Sequence, residues 1–168
     1  MKEIKFRANE PLLADSLLDN LTRVLEDRYL SPGLWVARFE EKWANACSAS
    51  YAVGTSSGTA ALHLALLACD IGPGDEVIVP AMTCPDTLNA VVFAGAQPVI
   101  VDIENQRFGI DPKSIDEAVT LATKAIIPVH MYGCPTDSEV YDVAEQRGLK
   151  VVEDCAEAQP QTSPSAGR

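Results

Sequence analysis

Basic residues are scarce in this chain: 13 Lys and Arg stand against 24 Asp and Glu, a net charge of −11. The deficit argues against nucleic acid and anionic membrane surfaces as partners, because both are gripped through clustered positive charge. Long apolar runs are lacking as well. None approaches the length needed to span a bilayer. The opening Met1-Lys2-Glu3-Ile4-Lys5-Phe6-Arg7 has no apolar stretch of the kind a signal peptide carries. Paired cysteines are absent: Cys47, Cys69, Cys84, Cys134 and Cys155 are odd in number, scattered and free of any Cys-x-x-Cys. That argues against a disulfide frame or a zinc site, and for reduced thiols in the cytoplasm. No Gly-x-Gly-x-x-Gly follows the first apolar run, and no Gly-x-x-x-x-Gly-Lys occurs anywhere. Dinucleotide and nucleoside triphosphate sites are therefore weak readings.

What is present is a regular alternation. At 168 residues, 47% of them hydrophobic, the chain is long enough to bury a core. Residues 1–10 read as an extended lead-in. Pro11 to about Arg28 reads as a helix on the stripe Leu12, Leu13, Leu17, Leu18, Leu21, Val24 and Leu25, and a break at 29–33 follows. Leu34 to about Cys47 reads as a second amphipathic helix, with Trp35, Val36, Phe39 and Trp43 expected in a core. From residue 51, short apolar runs recur at 51–54, 76–80, 97–102, 124–129 and 149–153. Helical stretches lie between them, at about 58–69, 85–94, 112–121 and 136–147. Pro112 in a first turn and Gly148 after a last turn fit these bounds. Five strands alternating with helices imply an α/β fold, a mostly parallel sheet with helices on both faces. Ligands of such sheets bind beyond the carboxyl ends of the strands. Residues 56–60, 81–86, 130–133 and 154–157 should meet there. The Pro- and Ser-rich stretch 160–168 reads as a disordered tail.

Two of these segments carry chemistry. Gly54-Thr55-Ser56-Ser57-Gly58-Thr59-Ala60 is a turn of small residues between an expected buried strand and a helix. Free N–H groups at such a helix start, beside a hydroxyl, suit a phosphate monoester. The bland alternative is an ordinary cap by Ser57 or Thr59. Asp154 follows Lys150-Val151-Val152-Glu153 at the end of an apolar run. A carboxylate there is costly unless it meets a cation or several donors. The bland alternative is an N-cap. Together, an anion hole and a strand-end acid suggest a ligand with a phosphate at one end and a basic nitrogen at the other, the shape of pyridoxal phosphate. His130 and Tyr132 lie at a strand end, where a structural role outweighs a catalytic one. His63 reads as packed or half exposed, and Asp86 and Asp102 as loop caps.

The segments Ser56-Ser57-Gly58-Thr59-Ala60-Ala61-Leu62, Gly72-Pro73-Gly74-Asp75-Glu76-Val77-Ile78-Val79-Pro80 and Gly95-Ala96-Gln97-Pro98-Val99-Ile100-Val101-Asp102 occur in order. Pro128-Val129-His130-Met131-Tyr132-Gly133 and Val152-Glu153-Asp154-Cys155-Ala156-Glu157-Ala158 follow them. In that order they resemble the N-terminal part of the DegT/DnrJ/EryC1/StrS sugar aminotransferases, over roughly residues 8–159. The Glu-Asp-Cys-Ala-Glu-Ala run is similar to that of the perosamine synthases. The resemblance implies an incomplete large domain of the aspartate-aminotransferase fold (fold type I), with residues 1–50 a helical lead-in and 51–159 a partial cofactor domain. It implies pyridoxal phosphate as cofactor, a nucleotide-sugar substrate, an amino donor and a homodimer. Gly58, Thr59 and Ala60 match the phosphate-binding turn, and Asp154 the partner of the pyridine nitrogen. Glu157 falls where His or Gln often lies near the phenolic oxygen. Cys84 replaces an aromatic residue that usually stacks on the ring, which should loosen cofactor packing.

The family holds its cofactor covalently through a lysine in a motif resembling Ser-Phe-x-x-x-Lys, beyond the Glu-Asp-Cys-Ala-Glu block. Lys2, Lys5, Lys42, Lys113, Lys124 and Lys150 all precede Asp154. The expectation is a truncated aminotransferase without its small C-terminal domain, inactive alone, or else a non-catalytic partner of a full-length homologue.

Overall fold

Glu76-Val77-Ile78-Val79-Pro80 is an apolar run between a Gly-Pro-Gly-Asp turn and a Pro-led helix, and it forms the strand around which the sheet is built. The computed structural model describes residues 13–29, 31 and 33–158. They divide into two compact units, Met1–Val53 and Gly54–Arg168. The second unit contains α3 (Gly58–Ala68), β1 (Glu76–Pro80), α4 (Pro85–Phe93), β2 (Gln97–Val101) and α5 (Pro112–Ala118). It continues with β3 (Thr123–Ile126), a 3-10 turn (Met131–Gly133), α6 (Glu139–Arg147) and β4 (Lys150–Val151). The strands lie in the order β2-β1-β3-β4, and every pairing is parallel.

Period-two alternation along the strands sorts their side chains into two cores. Val77, Val79, Ala125 and Ile127 pack with Leu62 and Leu66 of α3 and Ala90 and Val91 of α4. Ile78 and Ile126 point the other way, onto Ile115 of α5 and Val140 and Ala144 of α6. The expected parallel sheet with helices on both faces is therefore what the chain builds. Among the described residues no helix is long and apolar enough to cross a membrane.

Three expectations are corrected. Residues 51–54 form no strand, and Tyr51 and Val53 are 88% and 70% exposed. A strand is made by its partner, and neither edge of the four-stranded sheet pairs with this run. The helix expected over 112–121 stops at Ala118, with Val119 already extended. Thr120 and Thr123 supply the alternative: Thr123 Oγ1 accepts from Thr120 N–H at 2.9 Å and Thr120 Oγ1 from Ala122 N–H at 3.1 Å. Short hydroxyl side chains compete in this way with helical bonds.

The third correction lies in the first unit, which holds α1 (Leu17–Glu26) and α2 (Leu34–Ala46). The aromatics of α2 are not core residues: Phe39 and Trp43 are 55% and 40% exposed and stack on each other at 5.9 Å. Ala44 is the one buried residue described in the two helices. Two short helices have too little surface to cover both apolar stripes. The helix expected from Pro11 begins at Leu17, and residues 11, 12 and 159–168 lie outside the described residues.

Candidate functional site

Two helix N-termini and one strand end converge on the carboxyl edge of the sheet. β1 ends at Pro80 and α4 begins at Pro85, so the start of α4 lies at that edge. α3 enters β1 through a tight turn in which Gly72 N–H donates to Asp75 Oδ2 at 2.9 Å. It therefore runs back over the same face as α4, and its own start reaches the same edge. Beyond β4, a parallel bridge between Val129 and Asp154 carries the strand pairing to the sheet's end. There His130 N–H donates to Asp154 O at 3.1 Å, and Asp154 N–H to Pro128 O at 2.9 Å.

Asp154 is 8% exposed, and each carboxylate oxygen meets one donor. Thr87 Oγ1–H donates to Oδ2 at 2.8 Å, and Ala156 N–H donates to Oδ1 at 3.1 Å. A carboxylate has about four lone-pair sites, so capacity for a ligand's N–H remains. Of the two readings of Asp154, the Ala156 bond supplies the bland one, a cap on the following turn. It occupies one oxygen only.

At the start of α3, Ser57 is the N-cap, and its Oγ accepts from Ala60 N–H at 3.1 Å. Ala61 N–H donates to Ser57 O. The amides of Gly58 and Thr59 have no partner among the described residues, and a Cβ on Gly58 would meet open space. Two orphan donors face an accessible approach, as an anion requires. Ala60, matched to the same turn in the sequence, already spends its amide on the cap.

The other site residues differ in character. Cys84 is exposed at the N-cap of α4, and its Sγ–H lies 3.5 Å from Asp86 Oδ2. Asp86 is thus a first-turn residue rather than a loop cap, whereas Asp102 Oδ1 does accept from the next amide, Ile103 N–H, at 2.8 Å. Glu157 Oε2 accepts from Tyr132 N–H at 2.8 Å. Tyr132 needs that support, since its φ of 55° lies in the left-handed region. His63 is partly buried, edge-on to Phe93 at 6.2 Å.

His130 is buried, with both ring nitrogens engaged: Nε2 lies 3.1 Å from Glu153 Oε1, and Thr136 N–H donates to Nδ1 at 3.1 Å. Tyr141 O–H also donates to Glu153 Oε1. The Cys155 side chain and then Glu153 raise the imidazole's pKa to about 9. A second ring proton would land on Nδ1 and displace the Thr136 bond. Hydrogen bonds from His130 and Tyr141 hold the Glu153 carboxyl below its usual range, and burial followed by Glu153 pushes the Tyr141 phenol up. These bonds tie the His130 ring to the Glu153 carboxylate on one side and to the Thr136 backbone on the other.

Thr83, Thr87, Glu153 and Tyr141 escaped the sequence reading. Thr87 had a signal: it shares a stripe with Ala90 and Val91 of α4 and Ala94 at its C-cap, all buried. A hydroxyl on such a stripe must find a partner.

With this geometry in view, comparison with known proteins is direct. Residues 11–164 match the DegT/DnrJ/EryC1/StrS aminotransferase family. The chain belongs to that family. It is 42% identical over 156 residues to UDP-N-acetyl-3-dehydro-alpha-D-glucosamine 3-aminotransferase of Acidithiobacillus ferrooxidans, covering 92% of this chain and 42% of that protein. It is 41% identical over 151 residues to GDP-perosamine synthase of Escherichia coli O157:H7, covering 89% of this chain and 42% of the relative. Among solved structures, an aminotransferase from Psychrobacter cryohalolentis superposes with a TM-score of 0.85 at 36% identity, over 90% of this chain and 39% of that one. NtdA from Bacillus subtilis, with bound cofactor PMP, gives 0.83 at 41% identity, over 86% of this chain and 34% of its own. The 168 residues thus span about two fifths of the length of the curated relatives. Other solved neighbours also carry this cofactor: a putative sugar aminotransferase from Streptococcus pneumoniae is in its PMP form, and a GDP-4-keto-6-deoxymannose-3-dehydratase holds a trapped PLP-glutamate geminal diamine.

Proposed function

We propose that these residues form the cofactor-binding part of a nucleotide-sugar aminotransferase, and that the carboxyl edge of the sheet holds pyridoxal phosphate or its amine form. The observation that carries the reading is the paired geometry at that edge. A buried carboxylate has room for one more donor, and a helix start on the same edge has two free amides.

The residues present fit the cofactor. Gly58 and Thr59 N–H groups, with the Thr59 hydroxyl, would hold phosphate oxygens. The Ala60 amide joins them only if it leaves Ser57. Asp154 would keep a proton on the pyridine nitrogen, a charge-assisted bond worth about 1.5–3 kcal/mol. Pyridoxal phosphate supplies an electron sink for amino-group transfer to a keto sugar. Cys84 would offer the ring less flat surface than an aromatic side chain, so it contributes little stacking. Glu157 orients the Tyr132 turn and would stand near the ring's oxygen.

Pyridoxamine 5'-phosphate tests the reading, because it needs no covalent lysine. Titration of the 168-residue chain, followed by ligand fluorescence, should show saturable binding that inorganic phosphate competes away. No binding, or equal binding by wild type and Asp154→Ala, overturns it.

A further inference from the structure

Thr87 is 0% exposed, yet it carries a hydroxyl, and that hydroxyl ends on Asp154. A threonine has one O–H proton. Since Thr87 donates it to Asp154 Oδ2 at 2.8 Å, the 2.7 Å contact between Thr83 Oγ1 and Thr87 Oγ1 must run the other way, with Thr83 donating. The chain of bonds is therefore directional: Thr83 O–H to Thr87 Oγ1, then Thr87 O–H to Asp154 Oδ2. It links the loop after β1 and the first turn of α4 to a strand end 67 residues away. The second donor, Ala156 N–H, comes from the turn that follows Asp154, on the other oxygen. Two donors from separate elements fix both carboxylate oxygens, and the Thr87 donor is itself fully buried.

We propose that Thr87, oriented by Thr83, is the positioning residue that aims Asp154's carboxylate at a ligand's protonated ring nitrogen. The inference rests on the cofactor reading above and deepens it. A fixed rotamer removes the cost of orienting the carboxylate when the ligand arrives. Thr83 acts one step back. With its own oxygen supplied from Thr83, the Thr87 hydroxyl has one place left to send its proton. Valine at position 87 keeps the shape, deprives Oδ2 of its donor, and leaves Thr83 without an acceptor.

The test compares wild type, Thr87→Val, Thr87→Ser and Thr83→Val in the 168-residue chain, with pyridoxamine 5'-phosphate as probe. Circular dichroism and urea melts report folding. Two readouts matter: the dissociation constant, and the pH dependence of the bound ligand's absorbance, which reports whether its ring nitrogen is protonated. Thr87→Val should bind about tenfold more weakly, the loss of one hydrogen bond to a charged group. Its bound ligand should shed the ring proton at lower pH than in wild type. Thr87→Ser should restore both readouts, and Thr83→Val should move both in the same direction by less. A folded Thr87→Val protein with wild-type affinity and an unmoved pH profile overturns the positioning role and leaves the cofactor reading standing. If Thr87→Val does not fold, Thr87→Ser and Thr83→Val decide: an unmoved profile in Thr83→Val or a failed rescue by serine sinks the inference. Absence of binding by wild type sinks the cofactor reading, and the inference with it.

Discussion

Asp154 shows how little of a residue's role its identity reveals. Its place at a strand end is readable along the chain; its partners are not. Replacing it with asparagine keeps the size and removes the charge. Asp154→Asn should weaken pyridoxamine 5'-phosphate by about tenfold or more, matching about 1.5–3 kcal/mol for a hydrogen bond to a charged group. Calorimetric titration checks this, and an unchanged affinity would remove Asp154 from the site. His130 makes a second residue-scale prediction. Its pKa is raised from the ordinary 6.5 to about 9 by Cys155 and then Glu153, so the charge-dependent part of its stability is present below 6.5 and lost as pH climbs through 9, whereas the bond from Thr136 N–H to Nδ1 belongs to the neutral ring. Glu153 is lowered from the ordinary 4.5, so its contribution is present above 4.5 and lost on acidification. The gap between the urea midpoints of wild type and His130→Gln should therefore be widest between about pH 4.5 and 6.5 and narrow toward pH 9, without closing. A gap that stays level across that range refutes the pairing. His130 itself was visible in the sequence. Glu153 and Tyr141 were not, because a surface glutamate and a helix tyrosine look alike whether or not they meet.

The start of α3 was legible, since Ser57, one of the two caps weighed, does cap it. Asp111 caps α5 through a 3.0 Å bond from Ser114 N–H, although the sequence reading placed only Pro112 there. Each follows from a short polar side chain placed before a helical run. Ser57→Ala should cost about 1 kcal/mol of unfolding free energy in urea. It also frees the Ala60 amide, so affinity for pyridoxamine 5'-phosphate should hold or rise. A fall would mean that the Ser57 hydroxyl touches the ligand directly. Strand existence was legible for four of the runs, where apolar residues had a neighbour to pair with. Residues 51–54 have the same composition and no pairing, and composition cannot tell the two cases apart. Helix α5 ended early for the opposite reason, since a local competitor from Thr120 and Thr123 was present but unweighed.

Over the second unit as a whole, β1 pairs on both sides while β2 and β4 are edges. β1 also lies between the two cores. Hydrogen exchange should be slowest at Ile78 and Val79 and markedly faster at Lys150 and Val151, since local opening costs least where few contacts hold a strand. Uniform protection across the four strands would contradict that ordering. The chain spans about two fifths of the length of its curated relatives. The parallel character of the sheet, the two helical faces and the strand-end acid could all be drawn from spacing, capping and turn chemistry. These act over a few residues and leave a periodic trace. The unpaired run before α3, the exposed aromatics of α2 and the Thr83–Thr87–Asp154 chain could not. They depend on which distant surfaces meet, and packing makes that choice after the local pattern has already been satisfied.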